Sequence, residues 1–278
     1  MLFSATWPDA IRTISERFQS EPEDVRVEAQ ESGPDIEELF YEIAPDQQVA
    51  AVAALLSRFQ PSASLVFCTT KRDCDELADE LSRLGFAALS LHGDLDQKDR
   101  DGTLVKFANQ SCTVLVATDV AARGLDIKRL PLVINAEPAR DPEVYTHRIG
   151  RTGRAGEQGH AITLCTPKQG HKITRLEADR AKSAEWGDTA GLLAERVRPL
   201  GPPMKTLCLA GGRKEKVRPG DVLGALTGDA GIPGSAVGKI DLFDFQCFVA
   251  VQVEWADKAL ARLEAGKVKG RKIRVRFA

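Results

Sequence analysis

SLVFCTTKRDCDELADELSRLGFAALSLHGDLD, residues 64–96, holds two structural periods in one passage. Residues 65–68 are a short unbroken apolar run, as a strand covered on both faces requires. From 73 to 84 the apolar residues fall at Cys74, Leu77, Ala78, Leu81 and Leu84, the stripe of one helix face, and Gly85 follows as a stop signal. Residues 87–91 are apolar again. A strand, a helix and a second strand in so short a span predict parallel strands joined by a right-handed crossover. Outward from this unit the same rhythm recurs, with strand candidates at 36–43, 114–117, 132–135 and 161–165 and helical stretches between them. Residues 22–180 are therefore expected to form a three-layer α/β domain around a parallel sheet.

The rhythm fades after Glu195, and RPLGPPM (198–204), with three prolines in seven residues, reads as a linker. Beyond it the expected order is a strand at 206–209, a helix at 221–226, and strands about 239–242 and 248–253. A helix at 256–263 and a strand at 272–277 complete β-α-β-β-α-β, the split arrangement of small α+β, RRM-like domains. The division expected is 1–197, a linker at 198–204, and 205–278.

Charge follows the same division. The chain carries a net −2, yet residues 204–278 hold fourteen cations against eight acids, +6, and the remainder is −8. A basic tail on an acidic body suggests a nucleic-acid-binding appendage, although a solvated basic surface has the same composition. The longest apolar runs, such as 49–56, are far short of a membrane span, and the first ten residues lack the basic start and apolar stretch of a signal peptide. The six cysteines fall at irregular intervals with no C-x-x-C pair, and the four histidines are scattered. Buried thiols in a reducing cytoplasm are the expectation, rather than a disulfide framework or a metal site.

The most specific string is HRIGRTGRAG, 147–156. Pro142 and Glu143 open a predicted helix that carries His147 and Arg151 four residues apart on one face, and the glycines then leave Arg154 on a turn. Guanidinium groups at a helix end beside glycine turns suit a polyphosphate, which they bind in a bidentate fork. VATDVAARGLDI (116–127) follows a buried strand, at the carboxyl end where open α/β sheets bind ligands. There Thr118 can donate to a phosphate and Asp126 can accept from a ribose hydroxyl, or both can serve as helix caps. FCTTKR (67–72) and HGDLDQKDR (92–100) end two further strands and offer Thr70, Gly93 and Arg100; Thr70 and Asp94 are equally good cap residues. In the tail, Lys214, Lys216, Arg218 and Lys239 are candidate phosphate contacts along one edge. Phe248 stands where an RRM carries a stacking aromatic, but Cys208 and Gln246 stand at the other such places, so recognition by edges and loops is expected.

Taken together, SAT (4–6), the FCTT strand end, Gln97-x-x-Arg100, ATDVAARGLD (117–126) and HRIGRTGR (147–154) resemble motifs III, IV, IVa, V and VI of DEAD-box RNA helicases, in that family's order and spacing. The resemblance implies a RecA-like second motor lobe over roughly residues 1–180. It implies that Thr70, Gly93, Arg100 and Thr118 touch the RNA backbone and that Asp126 meets the ATP ribose. Arg151 and Arg154 would be arginine fingers on the γ-phosphate, and His147 would couple the two sites. RPGDVLGALTGD (218–229), placed after such a lobe, is similar to the DbpA subfamily; this implies a domain for a hairpin of large-subunit ribosomal RNA and a role in ribosome assembly.

Neither a G-x-x-x-x-G-K-[ST] phosphate loop nor a D-E-A-D acid pair occurs in the sequence. SAT stands at the very start, so the expectation is that the first RecA-like lobe is missing from this chain. ATP would then sit between the lobes, with magnesium held through the missing one, and the chain alone would not hydrolyse ATP. The rival reading is a non-catalytic RNA-binding module.

Overall fold

The computed structural model describes residues 9–19, 35–123, 127, 130–153, 158–228 and 231–278. The chain divides into two units, 1–33 and 34–278. The first contributes helix α1 (Asp9–Phe18), in which the Ser15 hydroxyl donates to Gln19 at 2.8 Å.

The second unit begins with β1 (Ile36–Glu42), α2 (Gln48–Phe59), β2 (Ser64–Cys68), α3 (Lys71–Arg83), β3 (Ala88–Leu91) and α4 (Gln97–Ala108). It continues with β4 (Val114–Thr118), α5 (Asp119–Ala122), β5 (Leu132–Asn135), α6 (Pro142–Ile149), β6 (Gly159–Cys165), α7 (Gly170–Arg180) and α8 (Thr189–Leu193). The six strands form one parallel sheet in the order β1-β6-β5-β2-β4-β3. All five residues of β2 and of β4 are buried, because helices cover both faces. The strand period sorts them: Val66, Cys68, Val116 and Ile134 face the core under α2 and α3, while Leu65, Phe67, Leu115 and Val133 face the core beside α5.

The opening passage folds as its periods predict, with two differences. Cys74, Leu77, Ala78 and Leu81 are buried along α3, but Leu84 is 41% exposed. The helix has ended there; Gly85, at φ 96°, turns the chain back so that Phe86 takes the buried place. Thr70 does cap α3, accepting from the Asp73 amide at 3.1 Å. Asp94 does not cap α4; Asp96 does, accepting from the Asp99 amide at 2.8 Å, and Asp94 pairs with Lys71 instead.

The rest is β7 (Met204–Leu209), α9 (Pro219–Thr227), β8 (Val237–Leu242), β9 (Cys247–Gln252), α10 (Val253–Ala265) and β10 (Val275–Phe277). They make a four-stranded antiparallel sheet in the order β10-β7-β9-β8, the expected β-α-β-β-α-β pattern. Leu207, Leu209, Val249, Val251 and Val275 form one core with Val222 and Leu226 of α9 and Ala259 and Leu263 of α10. The last strand begins at Val275 rather than at 272. Val268 and Arg271 exchange backbone hydrogen bonds across a turn whose central residues, Lys269 and Gly270, are left-handed at φ 54° and 74°. Helix α10 likewise starts three residues before the expected 256.

Candidate functional site

Helix α6 is opened by Pro142 and buries one stripe: Tyr145, Arg148 and Ile149. Arg148 is a charged residue on an apolar stripe, only 3% exposed, and it organises everything around it. Its guanidinium forks onto Asp119, Nε to Oδ1 at 2.6 Å and Nη2 to Oδ2 at 2.9 Å. Nη1 donates to Asn135 Oδ1 at 3.2 Å and to the Glu137 carbonyl at 3.0 Å. The same group stacks 5.0 Å above the Phe67 ring. One side chain thus ties α6 to the ends of β4, β5 and β2. The spacing of HRIGRTGRAG points to His147, Arg151 and Arg154 and not to Arg148, yet the place of Arg148 on the Tyr145–Ile149 stripe marks it as inward.

The helix does not carry Arg151, contrary to the expected spacing. It stops at Ile149, with Gly150 as cap, and the amides of Arg151 and Thr152 bond back only three residues, to Arg148 and Ile149 at 3.2 and 3.0 Å. The Arg151 carbonyl accepts from the Leu130 amide at 3.0 Å, and the fully buried Thr152 hydroxyl donates to the Leu130 carbonyl. This seats the turn at the amino ends of β5, β6 and β1. Gly153 fits there at φ 65°; a Cβ on it would collide with Ile36 and stand 2.8 Å from the Asp35 carbonyl.

His147, Arg148 and Arg151 nevertheless line one shallow depression, together with Phe67, Asp119, Ala122, Arg123 and Val144. Arg123, Arg148 and Arg151 line it with one carboxylate, Asp119, which Arg148 forks. Guanidinium groups gathered in one depression suit a polyphosphate. Asp126 and Arg154 lie outside the described residues.

The other candidates stand at the carboxyl edge of the sheet. Thr70 and Gly93 follow β2 and β3, Thr118 ends β4, and β4 pairs between the other two. The chain order 70, 93, 118 becomes the spatial order 70, 118, 93, a row across three strands roughly 4.8 Å apart. Thr118 is 8% exposed and caps α5 through the Ala121 amide at 3.4 Å. Thr70 is exposed, its hydroxyl 2.6 Å from Asp73. Lys71 reaches Asp94 at 2.5 Å and so ties the Thr70 turn to the Gly93 turn. Arg100 donates to the Ala121 carbonyl at 2.9 Å, which holds α4 against α5.

In the second domain, Arg218 is exposed at the start of α9, its amide held by Asp221 at 2.9 Å. Lys239 lies on the edge strand β8 and pairs with Asp241 at 3.0 Å. Cys208 and Phe248 sit opposite each other on β7 and β9 and are buried, 6% and 5% exposed.

Known proteins resemble this arrangement in both parts. Residues 47–156 match the helicase conserved C-terminal domain, and residues 206–277 match the DbpA RNA binding domain. ATP-dependent RNA helicase DbpA of Escherichia coli is 49% identical over the whole chain, which spans 60% of that protein's length. DEAD-box ATP-dependent RNA helicase CshA of Bacillus cereus is 46% identical over 193 residues, 69% of this chain and 37% of that protein. Among solved structures, a DEAD box protein of Methanococcus jannaschii superposes with a TM-score of 0.53 at 34% identity, covering 67% of this chain and 50% of the other. S. cerevisiae Dbp5 bound to RNA and ADP BeF3 superposes with a TM-score of 0.59 at 27% identity, covering 66% and 50%.

Proposed function

The chain belongs to the DEAD-box RNA helicases, of which it carries the helicase C-terminal domain and the DbpA RNA-binding domain, and from that premise we propose that it is the second half of an ATP-driven motor that unwinds short RNA duplexes near a hairpin of large-subunit ribosomal RNA. The observation that carries the proposal is the cationic depression between α5 and α6, with His147, Arg123, Arg148 and Arg151 around an already paired Asp119. Bound ATP would supply the phosphoanhydride to be cleaved, with magnesium held from the other lobe. Arg151, with Arg154, would neutralise charge on the terminal phosphate, and Arg148 would position them by fixing α6. The row Thr70, Thr118, Gly93, with Arg100 behind it, would hold the RNA backbone, and backbone contacts carry no sequence information. Choice of RNA would then belong to the basic second domain, which keeps the motor near its site by raising its effective concentration there. Six free, buried cysteines support a cytoplasmic setting.

The chain by itself is expected to show no RNA-stimulated ATP hydrolysis; supplying a DEAD-box first lobe, fused or in trans, should restore it. In the completed protein, Arg151→Ala or Arg154→Ala should lower turnover by about 10³ or more, with stability held within about 0.5 kcal/mol. Hydrolysis by the chain alone that survives Arg151→Ala would overturn this reading of the site, and a large stability loss in either variant would mark that arginine as structural.

The second domain is tested by a salt-titrated gel shift on the whole chain, comparing a ribosomal hairpin fragment with scrambled RNA. The hairpin should be preferred, and Arg218→Ala with Lys239→Ala should weaken binding and flatten the salt dependence by about one to two counterions. Equal binding of both RNAs would remove the ribosomal assignment.

A further inference from the structure

In small domains of this fold the open face of the four-stranded sheet is where RNA bases stack. Here that face is occupied. Along β7, Leu207 and Leu209 enter the helix-covered core, so Thr206 and Cys208 point to the other side. There the Thr206 hydroxyl meets Asn109 and Ser111, just past the end of α4, at 2.9 and 2.8 Å. Cys208 and Phe248 cluster with Val105 of α4. Thr206 and Asn109 are 5% and 6% exposed, which leaves no room for a base.

The rim beside this face is different. The turn between β8 and β9 carries two phenylalanines with opposite fates. Phe243 packs edge-on against Phe248, centroids 5.6 Å apart, whereas Phe245 is 69% exposed, more than any other large apolar residue described in this domain. The turn is rigid: the Phe243 amide bonds the Gln246 carbonyl, and the amides of Arg213 and Lys214 bond the carbonyls of Phe243 and Asp244, all at 2.9 Å. This clamp needs Gly212, where a Cβ would collide with the Phe243 carbonyl and stand 2.6 Å from that of Asp244. Glu215 turns its carboxylate onto the Gly212 amide at 2.7 Å. Arg213, Lys214, Lys216 and Arg218 remain exposed beside two exposed acids, Glu215 and Asp244.

We infer that this rim is a single-base platform: Phe245 stacks one unpaired RNA base, and Arg213 and Lys214 contact the adjoining phosphates. The inference rests on the RNA-binding reading of this domain and says which surface performs it. A flat aromatic held on a clamped turn loses little freedom on stacking, and flanking cations suit the backbone on either side of a flipped base.

The test uses the 278-residue chain and two labelled RNAs, a hairpin with 2-aminopurine in its loop and the same stem as a blunt duplex. Phe245→Ala should weaken hairpin binding by about tenfold or more and abolish the stacking quench of 2-aminopurine, with duplex binding and Tm unchanged. Phe245→Trp should restore both signals. Arg213→Ala with Lys214→Ala should lower the salt slope by about 1.5 on either RNA. Hairpin binding that is indifferent to Phe245→Ala, in a chain that does bind RNA, overturns the platform alone. A parent chain that binds neither RNA overturns the RNA-binding reading and the platform with it.

Discussion

Arg148→Met is expected to destabilise the chain by about 3 kcal/mol and to lower its Tm by roughly 6–12 °C. The guanidinium is buried and makes four hydrogen bonds, two of them to Asp119, so the truncation leaves that carboxylate without its fork. It also leaves Asn135 Oδ1 and the Glu137 carbonyl short of a donor. Asp119 remains 29% exposed, so water recovers part of its solvation, and the loss should fall at the low end for a broken buried pair. Methionine keeps the contact with Phe67 and separates the charge from the packing. Arg148→Met combined with Asp119→Leu should regain much of the stability, because an apolar pair leaves no stranded charge. The completed, two-lobed protein should nonetheless stay inactive with that double change, since α6 would then be placed by packing alone. Denaturant melts of the three variants decide the matter. A loss below about 1 kcal/mol for the single change would show that Tyr145 and Ile149 suffice to hold the helix.

Acid should weaken this fold through one carboxylate in particular. Glu38, on β1, is 8% exposed; it accepts from the Tyr145 hydroxyl at 2.7 Å, from both Arg180 Nη atoms at 2.5 and 2.8 Å, and from Lys182 at 3.1 Å. Burial by itself would raise its pKa, but the donors outweigh it and bring the value from 4.5 to about 2. A folded-state pKa below the unfolded one stabilises the protein above pH 4.5, and that contribution disappears as the pH falls toward 2. At about 1.4 kcal/mol per pH unit the contribution amounts to roughly 3 kcal/mol. Glu38→Gln should therefore reduce stability at pH 7 by about that amount and flatten the dependence between pH 4.5 and 2.5. Urea melts of parent and variant across that range test it; parallel pH profiles would mean that other carboxylates govern acid unfolding. The effect reaches the site as well, because Tyr145 lies on the same buried stripe of α6 as Arg148.

Much of this architecture could be read in one dimension. The strand and helix periods of 64–96 foretold a parallel α/β unit, since each depends only on which neighbours along the chain share a face. The β-α-β-β-α-β order of the tail was legible for the same reason. HRIGRTGRAG announced a cationic site because glycines and arginines state their own conformational and charge properties. Partners chosen across the fold were beyond that kind of reading. Arg148 became the hub only when strand order brought Asp119, Asn135 and Glu137 to one place. Thr118 moved between Thr70 and Gly93 because β4 pairs between β2 and β3. The end of α6 at Ile149 was decided by Leu130, nineteen residues earlier in the chain, which draws Arg151 and Thr152 into its own hydrogen bonds. The closing of the second sheet's face followed from Val105 and Asn109, which lie about a hundred positions before the residues they cover. Local pattern determines which side chains turn inward, through backbone geometry alone; what each one meets there depends on packing between distant segments, and only the tertiary structure decides it.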